Sequence, residues 1–364
     1  MTQSAILSQR QLVFQRFKKN KSAKIATFFL IFLISLGIFS DFISPYKPTI
    51  AGADRDYVNG APQIPLFWDE NGFSLRPFLY TTERTRSIET NFRWVETVNK
   101  EERRYVQFFV KGWEYTFLGI TFDRHLFGID KGQIHIFGTD DAGKDIFSRT
   151  LKAIYISLAV GLLGLIIKLF MSLLIGGLSG YFGGWVDSIL SAFTDAVRTI
   201  PPIPLFMALA AFIPDTWSAE MRFFYIATIL GLVDFPTLAR RLRTHLLSER
   251  NQEYILAAQL CGTSTFKIIY KHLLPSFTSY IIVDTLINFP YMILAETSLS
   301  FIGLGLQDPV NSIGVMLENA TKTDVLLNYQ WYYIPTIFFI ALVMSFVYVG
   351  DGIRDAADPY RVQK

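Results

Sequence analysis

Residues 253–275, EYILAAQLCGTSTFKIIYKHLLP, form a charged, amphipathic stretch between segments that are apolar enough to cross a membrane. Its first part has helical periodicity. Residues at i, i+3, i+4 and i+7 give one face on which small side chains permit close helix approach: Tyr254, Ala257, Ala258 and Cys261. Gly262 is expected to end this helix, and Thr263 or Ser264 can cap the next one.

The second part of the stretch predicts another short helix. An apolar stripe lies opposite two lysines, Lys267 and Lys271; its members are Phe266, Ile269, Tyr270 and Leu273. Pro275 is expected to stop this helix before the next apolar segment. Lys and Phe would also suit a helix that lies on lipid. The small face and the glycine favour docking against another protein instead.

The composition indicates an integral membrane protein. The chain has 364 residues, of which 51% are hydrophobic, and its mean hydropathy is +0.31. The apolar residues collect in unbroken blocks rather than in the short periodic runs of a soluble core. A net charge of +3 is too small to indicate nucleic-acid binding, and a single cysteine, Cys261, excludes an internal disulfide framework.

Six segments are predicted to span the membrane, because a hydrocarbon core of about 30 Å needs roughly 20 apolar residues in a helix. Asp195, Arg198 and Asp234 interrupt the third and fourth of them, and a proline cluster beginning at Pro201 should kink or break the third. The segments are 24–43, 153–180, 188–213, 223–239, 277–295 and 331–350.

The number of predicted spans also predicts the orientation of the chain in the membrane. Six spans place both termini on one side, and the basic N-terminal residues then share that side with the basic loop at 240–271. Short loops rich in Lys and Arg stay in the cytoplasm, so the two arguments agree. The apolar core after Lys24 lacks a cleavage site, so we expect an uncleaved first span.

Several motifs along the chain together resemble those of one protein family. EYILAAQLCG with HLLP resembles the EAA loop of binding-protein-dependent ABC importer permeases. The chain is similar to the C-type inner-membrane subunit of the branch that imports dipeptides, oligopeptides and nickel, in a variant with a long exterior loop like that of microcin and oligopeptide systems. The other motifs are FGTDDAGKDIFSR (137–149), GGLSGYFGGWVD (176–187), AETSLSFIGLGLQDP (295–309) and DGIRDAADP (351–359).

This resemblance implies an all-α membrane protein with the six-helix type I importer permease fold and an extra exterior segment between helices 1 and 2. We expect that segment to form a small folded cap, because it mixes aromatic and charged residues. The implied divisions are a cytoplasmic tail (1–23), a first transmembrane helix (24–44), an exterior insert (45–150), a permease core (151–352) with a cytoplasmic coupling loop (240–276), and a cytoplasmic tail (353–364).

The resemblance also implies the function, a permease subunit of an ATP-driven importer for peptides, without catalytic activity of its own. Its expected partners are a B-type permease, two cytoplasmic ABC ATPases, an exterior solute-binding protein and the lipid of a bacterial inner membrane. It would bind no cofactor, since ATP and Mg²⁺ belong to the ATPases. The implied coupling residues are Glu253, Tyr254, Ala257, Ala258, Gly262, His272 and Pro275.

Charged residues within the apolar segments are candidates for a translocation path: Lys168, Asp195, Asp284 and Glu296. A lysine at the bilayer centre costs roughly 2.5–3.5 kcal/mol on insertion scales, so Lys168 should face the bundle interior, a partner or a polar path. Asp195 and Arg198, at i and i+3, could pair on one helix face. The alternative function is an ion-coupled secondary transporter that uses such midplane charges.

Two further patterns argue against nucleotide binding and against a metal site. Residues 138–145 nearly spell a nucleotide-binding P-loop, but Asp145 stands where a hydroxyl must hold Mg²⁺. We expect this segment to be a turn and helix cap instead. The four histidines (His125, His135, His245 and His272) form no H-x-x-x-H pair, so the sequence predicts no metal site.

Overall fold

The computed structural model describes residues 9–70, 72–85, 95–129, 132–214 and 216–357. The ends of the predicted tails and the last two residues of the 351–359 motif lie outside these residues. The helices are α1 (Gln9–Lys19), α2 (Lys21–Ile38), α3 (Ser40–Ile43), α4 (Ile146–Phe182), α5 (Gly184–Thr199), α6 (Pro202–Ala210), α7 (Ala219–Glu249), α8 (Glu253–Leu260), α9 (Thr265–Ile268), α10 (Leu274–Phe301), α11 (Ile313–Ala320), α12 (Thr323–Asn328) and α13 (Ile334–Ala357); the strands are β1 (Leu66–Asp69), β2 (Gly72–Thr85), β3 (Val95–Phe117) and β4 (Ile120–Ile129).

Among the described residues, five helical runs are long and apolar enough to cross a membrane. They are Lys21–Ile38, Ile146–Phe182, Ala219–Glu249, Thr265–Phe301 and Gln330–Ala357, and they match five of the six predicted spans. The predicted span at 188–213 is instead divided into α5 and α6. Pro201 and Pro202 explain the break, because proline has no N–H to donate and its ring crowds the preceding helical turn.

The chain divides into two compact units, which are described separately. The first comprises Met1–Phe32, Ser157–Gln307 and Ile340–Lys364, and the second comprises Leu33–Ile156 and Asp308–Phe339.

In the first unit, glycines bring α4 and α7 into backbone contact. A Cβ added to Gly176 would lie 2.4 Å from the carbonyl oxygen of Ala239, and one added to Gly180 would lie 2.9 Å from that of Arg243. Gly176 and Gly180, four residues apart, therefore allow the close approach of the two helices. Residue numbers rise together along the two helices, so α4 and α7 run parallel.

Helix α10 packs against this pair and against α13. Gly161 of α4 lies beside Ile293 of α10, and Phe289 of α10 stacks obliquely on Phe346 of α13 with ring centroids 4.6 Å apart. Near the end of α13, Gly352 lies against Ala23, close to the start of α2. The start of α2 and the end of α13 are therefore neighbours.

The second unit contains a four-stranded antiparallel sheet in the order β1-β2-β3-β4. The all-α prediction is wrong for this segment, although a folded insert was expected. Aromatic, Val and Thr residues recur along β2 and β3, and these side chains suit a pleated surface. One face of the sheet closes on a small apolar core formed by Leu79, Val106, Phe127 and Ile134.

The segment that resembles a P-loop is a turn followed by a helix cap, as predicted. The Asp140 carboxylate accepts the backbone N–H groups of Ala142 and Lys144 at 2.9 and 2.8 Å. The Asp145 carboxylate accepts the N–H of Ser148 at 2.7 Å and its hydroxyl at 2.6 Å, just where α4 begins. Both carboxylates are thus committed to the chain's own backbone and side chains.

Candidate functional site

Helix α8 ends at Leu260, and Gly262 follows its C-cap residue in a Schellman motif. The Thr263 N–H donates to the Ala258 carbonyl at 3.1 Å, and the Gly262 N–H donates to the Gln259 carbonyl at 2.9 Å. Gly262 has φ +71°, yet a Cβ added there would have no atom within 4 Å. Backbone conformation, not crowding, therefore requires glycine at this position.

The helix that follows does not stop at Pro275, so that prediction is wrong. Helix α9 passes through a π-helical turn, Ile269–Leu273, directly into α10. Pro275 has no N–H to offer an α-helical bond, and its ring would crowd the carbonyl of Lys271 four residues earlier. The wider π turn relieves this conflict and keeps the helix continuous.

One face of the 253–275 segment is anchored to the rest of the first unit. Ile255, Ile268 and Leu273 are at most 1% exposed. They pack in one cluster with Phe277 and with three leucines of α7: Leu238, Leu242 and Leu246. Movement of the segment would therefore be transmitted to α7 and α10.

The opposite face is exposed and apolar. The most exposed of its large side chains are Leu260 (90%), Phe266 (79%) and Tyr270 (68%), and the last two rings lie nearly parallel with centroids 6.4 Å apart. The predicted apolar stripe of the second helix is therefore split between the two faces. Exposed apolar surface of this kind is typical of interaction sites.

The structure exposes five of the predicted coupling residues and packs Ala258 against the buried cluster. Ala258 and His272 are half-buried; the exposed ones are Glu253, Tyr254, Ala257, Gly262 and Pro275. The Tyr254 hydroxyl donates to the Glu249 carboxylate at 2.9 Å. Partial burial and this hydrogen bond raise the pKa of Tyr254, so the hydroxyl stays protonated at neutral pH.

Lys168 and Asp284 belong to a network between three helices. Lys168 is 1% exposed, and its Nζ lies 2.6 Å from Asp234 Oδ2 and 3.9 Å from Asp284 Oδ2. Arg241 Nη1 lies 3.0 Å from Asp284 Oδ1. Two cations and two anions from α4, α7 and α10 thus compensate one another, with Lys168 and Asp284 buried and Asp234 and Arg241 partly exposed. Arg241 was not among the predicted residues, although its i, i+7 spacing from Asp234 places both on one helix face.

The other two candidate path residues lie elsewhere. Asp195 pairs with Arg240 of α7, and a pair with Arg198 is absent from the described part of the chain. Glu296 is fully buried and accepts hydrogen bonds from the hydroxyls of Ser157 (3.0 Å) and Ser300 (2.9 Å). Of the four predicted residues, the structure therefore brings together only Lys168 and Asp284.

The second unit holds a buried histidine between two carboxylates. His135 Nδ1 lies 3.0 Å from Asp145 Oδ1, and its Nε2 lies 3.4 Å from Asp54 Oδ2. Burial alone would lower the pKa of His135, but the hydrogen bonds to Asp145 and Asp54 outweigh it and raise that pKa above its ordinary value. The ring thus joins the segment that precedes β1 in the sequence to the segment that follows β4.

Known proteins resemble this chain over much of its length. Residues 172–362 match the family described as binding-protein-dependent transport system inner membrane component, and residues 8–62 match the N-terminal TM domain of oligopeptide transport permease C. The dipeptide transport system permease protein DppC of Bacillus subtilis is 36% identical over 226 residues, which are 62% of this chain and 68% of that protein. The oligopeptide transport system permease protein OppC of Haemophilus influenzae is 35% identical over 227 residues, 62% of this chain and 70% of that protein.

Among solved structures, the inward-facing MetNI methionine ABC transporter matches 57% of this chain and 96% of its own, at 18% identity and a TM-score of 0.44. The family assignment depends on the sequence matches, because the first of them covers more than half of the chain. The long apolar helices agree with a multi-pass protein of the inner membrane. The chain therefore belongs to the inner-membrane components of binding-protein-dependent transport systems, and it is a transmembrane permease subunit of an ABC importer.

Proposed function

We propose that this permease imports peptides delivered by an exterior solute-binding protein, and that the 253–275 segment couples it to two cytoplasmic ATPase subunits. One observation carries the coupling role. The segment has a face packed into α7 and α10 and an opposite face of exposed apolar side chains. Such a two-faced element can transmit the movement of a bound partner to membrane-spanning helices.

Members of this family work with other permease, ATPase and binding-protein components. For this chain, the proposed assembly is a heterodimer with a B-type permease, and the ATPases bind ATP and Mg²⁺ and hydrolyse the nucleotide. ATP-driven closure of the ATPases would move the 253–275 segment and switch the access of the path. Peptide as the cargo is supported by the names of the relatives, which are dipeptide and oligopeptide permeases.

The packing supports a six-crossing, type I topology with both termini in the cytoplasm. Helices α4 and α7 run parallel, so the chain must return between them, and α5 with α6 is the segment available for that return. The contact of Gly352 with Ala23 places the start of α2 beside the end of α13. Basic residues in the last turn of α1 then set the cytoplasmic side, which leaves 45–150 as the exterior insert.

Lys168, Asp195, Asp284 and Glu296 remain proposed path residues. Asp234 and Arg241 are 42% and 53% exposed at their side chains, so the network around Lys168 reaches the surface of this chain, where a partner permease would pack. The ion-coupled alternative makes a different prediction, since its uptake would follow an ion gradient and would ignore ATP.

Reconstitution of the complete complex tests the coupling proposal. Leu260→Glu places a charge on the exposed face, and it should abolish ATP-dependent peptide uptake and the retention of ATPase subunits during purification. Leu327→Glu is a matched control, because Leu327 is 75% exposed in the second unit, and it should retain the ATPases. Normal uptake and normal ATPase retention in Leu260→Glu would overturn the proposed docking surface.

A further inference from the structure

The turn between β3 and β4 presents large apolar side chains that the described residues do not cover. Leu118 is 88% exposed, Ile120 is 61% exposed and Phe122 is 41% exposed. The eight residues at 115–122, YTFLGITF, contain no charge. A hairpin tip in water is normally built from polar turn residues, so this composition indicates a different surrounding.

The backbone of the turn strengthens this point. Phe117 pairs with Ile120, and the two residues between them, Leu118 and Gly119, have φ +51° and +83°. Positive φ at both central positions defines a type I′ turn, in which Asn, Asp or Gly is favoured at the first position. Leucine adopts this conformation at a cost, and with its side chain 88% exposed it gains little packing against the described residues to offset that cost.

The position of the turn is fixed relative to the first membrane-spanning helix. Phe39 directly follows the end of α2, and its ring centroid lies 5.7 Å from that of Phe117. A spanning helix ends at the membrane–water boundary, so the turn is held at that level. A largely apolar groove of about 500 Å³ lies at these two elements, and its lining includes Phe39, Phe42, Phe117 and Phe122, with Asp41 and Arg124 as its charged members.

Polar groups begin where the headgroups of a bilayer would lie. Lys152 pairs with Asp41 at 2.8 Å beside the end of α2. On the hairpin the nearest charges are Glu114 and Asp123, which at about 3.3 Å per residue stand roughly 10–13 Å from the tip. Trp113 lies beyond them, and Trp is enriched at membrane interfaces. The closed two-residue turn also leaves few backbone groups unpaired, as lipid requires.

We propose that the β3–β4 turn inserts into the lipid leaflet at the C-terminal end of α2, with Leu118 and Ile120 among the acyl chains. The groove beside Phe39 then accepts an acyl chain. The insert is thereby fastened to the bilayer surface by lipid, independently of any protein that binds it. This inference requires α2 to span the membrane, and it does not depend on the coupling role of residues 253–275.

Fluorescence in the complete complex, reconstituted in nanodiscs, tests this proposal. An environment-sensitive fluorescent amino acid is incorporated in place of Leu118, or in place of Val98 as the control. Val98 is 56% exposed on the same strand, twenty residues from the turn. The label at 118 should emit at shorter wavelength than the label at 98. Lipids with a nitroxide high on the acyl chain should quench the label at 118 several-fold more strongly than the label at 98.

Two outcomes overturn the proposal: equal emission and quenching at the two positions, or blue-shifted emission at 118 that nitroxide lipids do not quench. The second result would assign the site to a protein partner. Leu118→Asn provides an independent check, because Asn suits the turn and should preserve the protease resistance of the insert. A label in place of Ile120 should then lose at least half of its lipid quenching, and unchanged quenching would also contradict the proposal.

Discussion

Gly262 provides a graded test of the 253–275 segment. Because φ is +71° and no atom lies within 4 Å of an added Cβ, a substitution there acts through the backbone alone. A non-glycine residue in this conformation costs about 1–2 kcal/mol. That cost lowers the population of the docking-ready turn by roughly 5–30-fold. Asparagine tolerates the conformation better, and a β-branched residue tolerates it worst.

We therefore expect ATP-dependent peptide uptake into proteoliposomes to fall in the order Gly262→Asn, Gly262→Ala, Gly262→Val. Uptake by Gly262→Val should drop by at least tenfold, while the membrane complex still assembles, because the buried anchors Ile255 and Ile268 are unchanged. Assembly is measured by co-purification of the two permeases. Normal uptake in Gly262→Val would refute the reasoning, and so would a Gly262→Asn variant as inactive as Gly262→Val.

Three further predictions concern stability. Lys168→Met leaves the buried Asp284 with less compensating charge and should destabilise the complex by about 1–3 kcal/mol, whereas Arg240→Gln, in an exposed pair, should change the free energy of unfolding by at most about 1 kcal/mol; equal thermal shifts would contradict the stabilising role of the network around Lys168. Gly176→Ala should weaken α4–α7 packing, because its Cβ would lie 2.4 Å from a carbonyl oxygen. Gly177→Ala should be tolerated, since its Cβ would lie 3.9 Å from the nearest atom; the melting temperatures of the two variants check this. The raised pKa of His135 means that its stabilising contribution is complete below pH 6.5 and is lost as pH rises through the raised value. The protease resistance of the insert should be highest below pH 6.5 and should fall as the pH rises through the raised pKa. A His135→Gln variant with the same pH dependence would exclude the histidine as its source.

The long apolar helices were predictable because their signal is local. Unbroken apolar blocks predicted five of these helices, and the proline cluster beginning at Pro201 predicted the division of the third span. The caps at Asp140 and Asp145 were also predictable, since short polar side chains bond to nearby backbone.

The remaining features depend on tertiary contacts that sequence patterns do not report. The β-sheet was missed because residues 95–117 carry charges on an irregular alternation, interrupted by bulges. The helix through Pro275 was missed because a π turn is a rare solution to a local conflict. Asp195 was assigned a partner on its own helix, but the structure gives it Arg240 on a neighbouring one.

Cys261 offers the most direct measurement of the central claim, that the exposed face of residues 253–275 docks on a partner ATPase. It is the chain's only cysteine, it is exposed, and it lies at the turn itself. Maleimide labelling of Cys261 should be fast in the permease pair alone and at least tenfold slower after the ATPase subunits are added. An unchanged labelling rate in a complex that hydrolyses ATP and imports peptide would contradict the account.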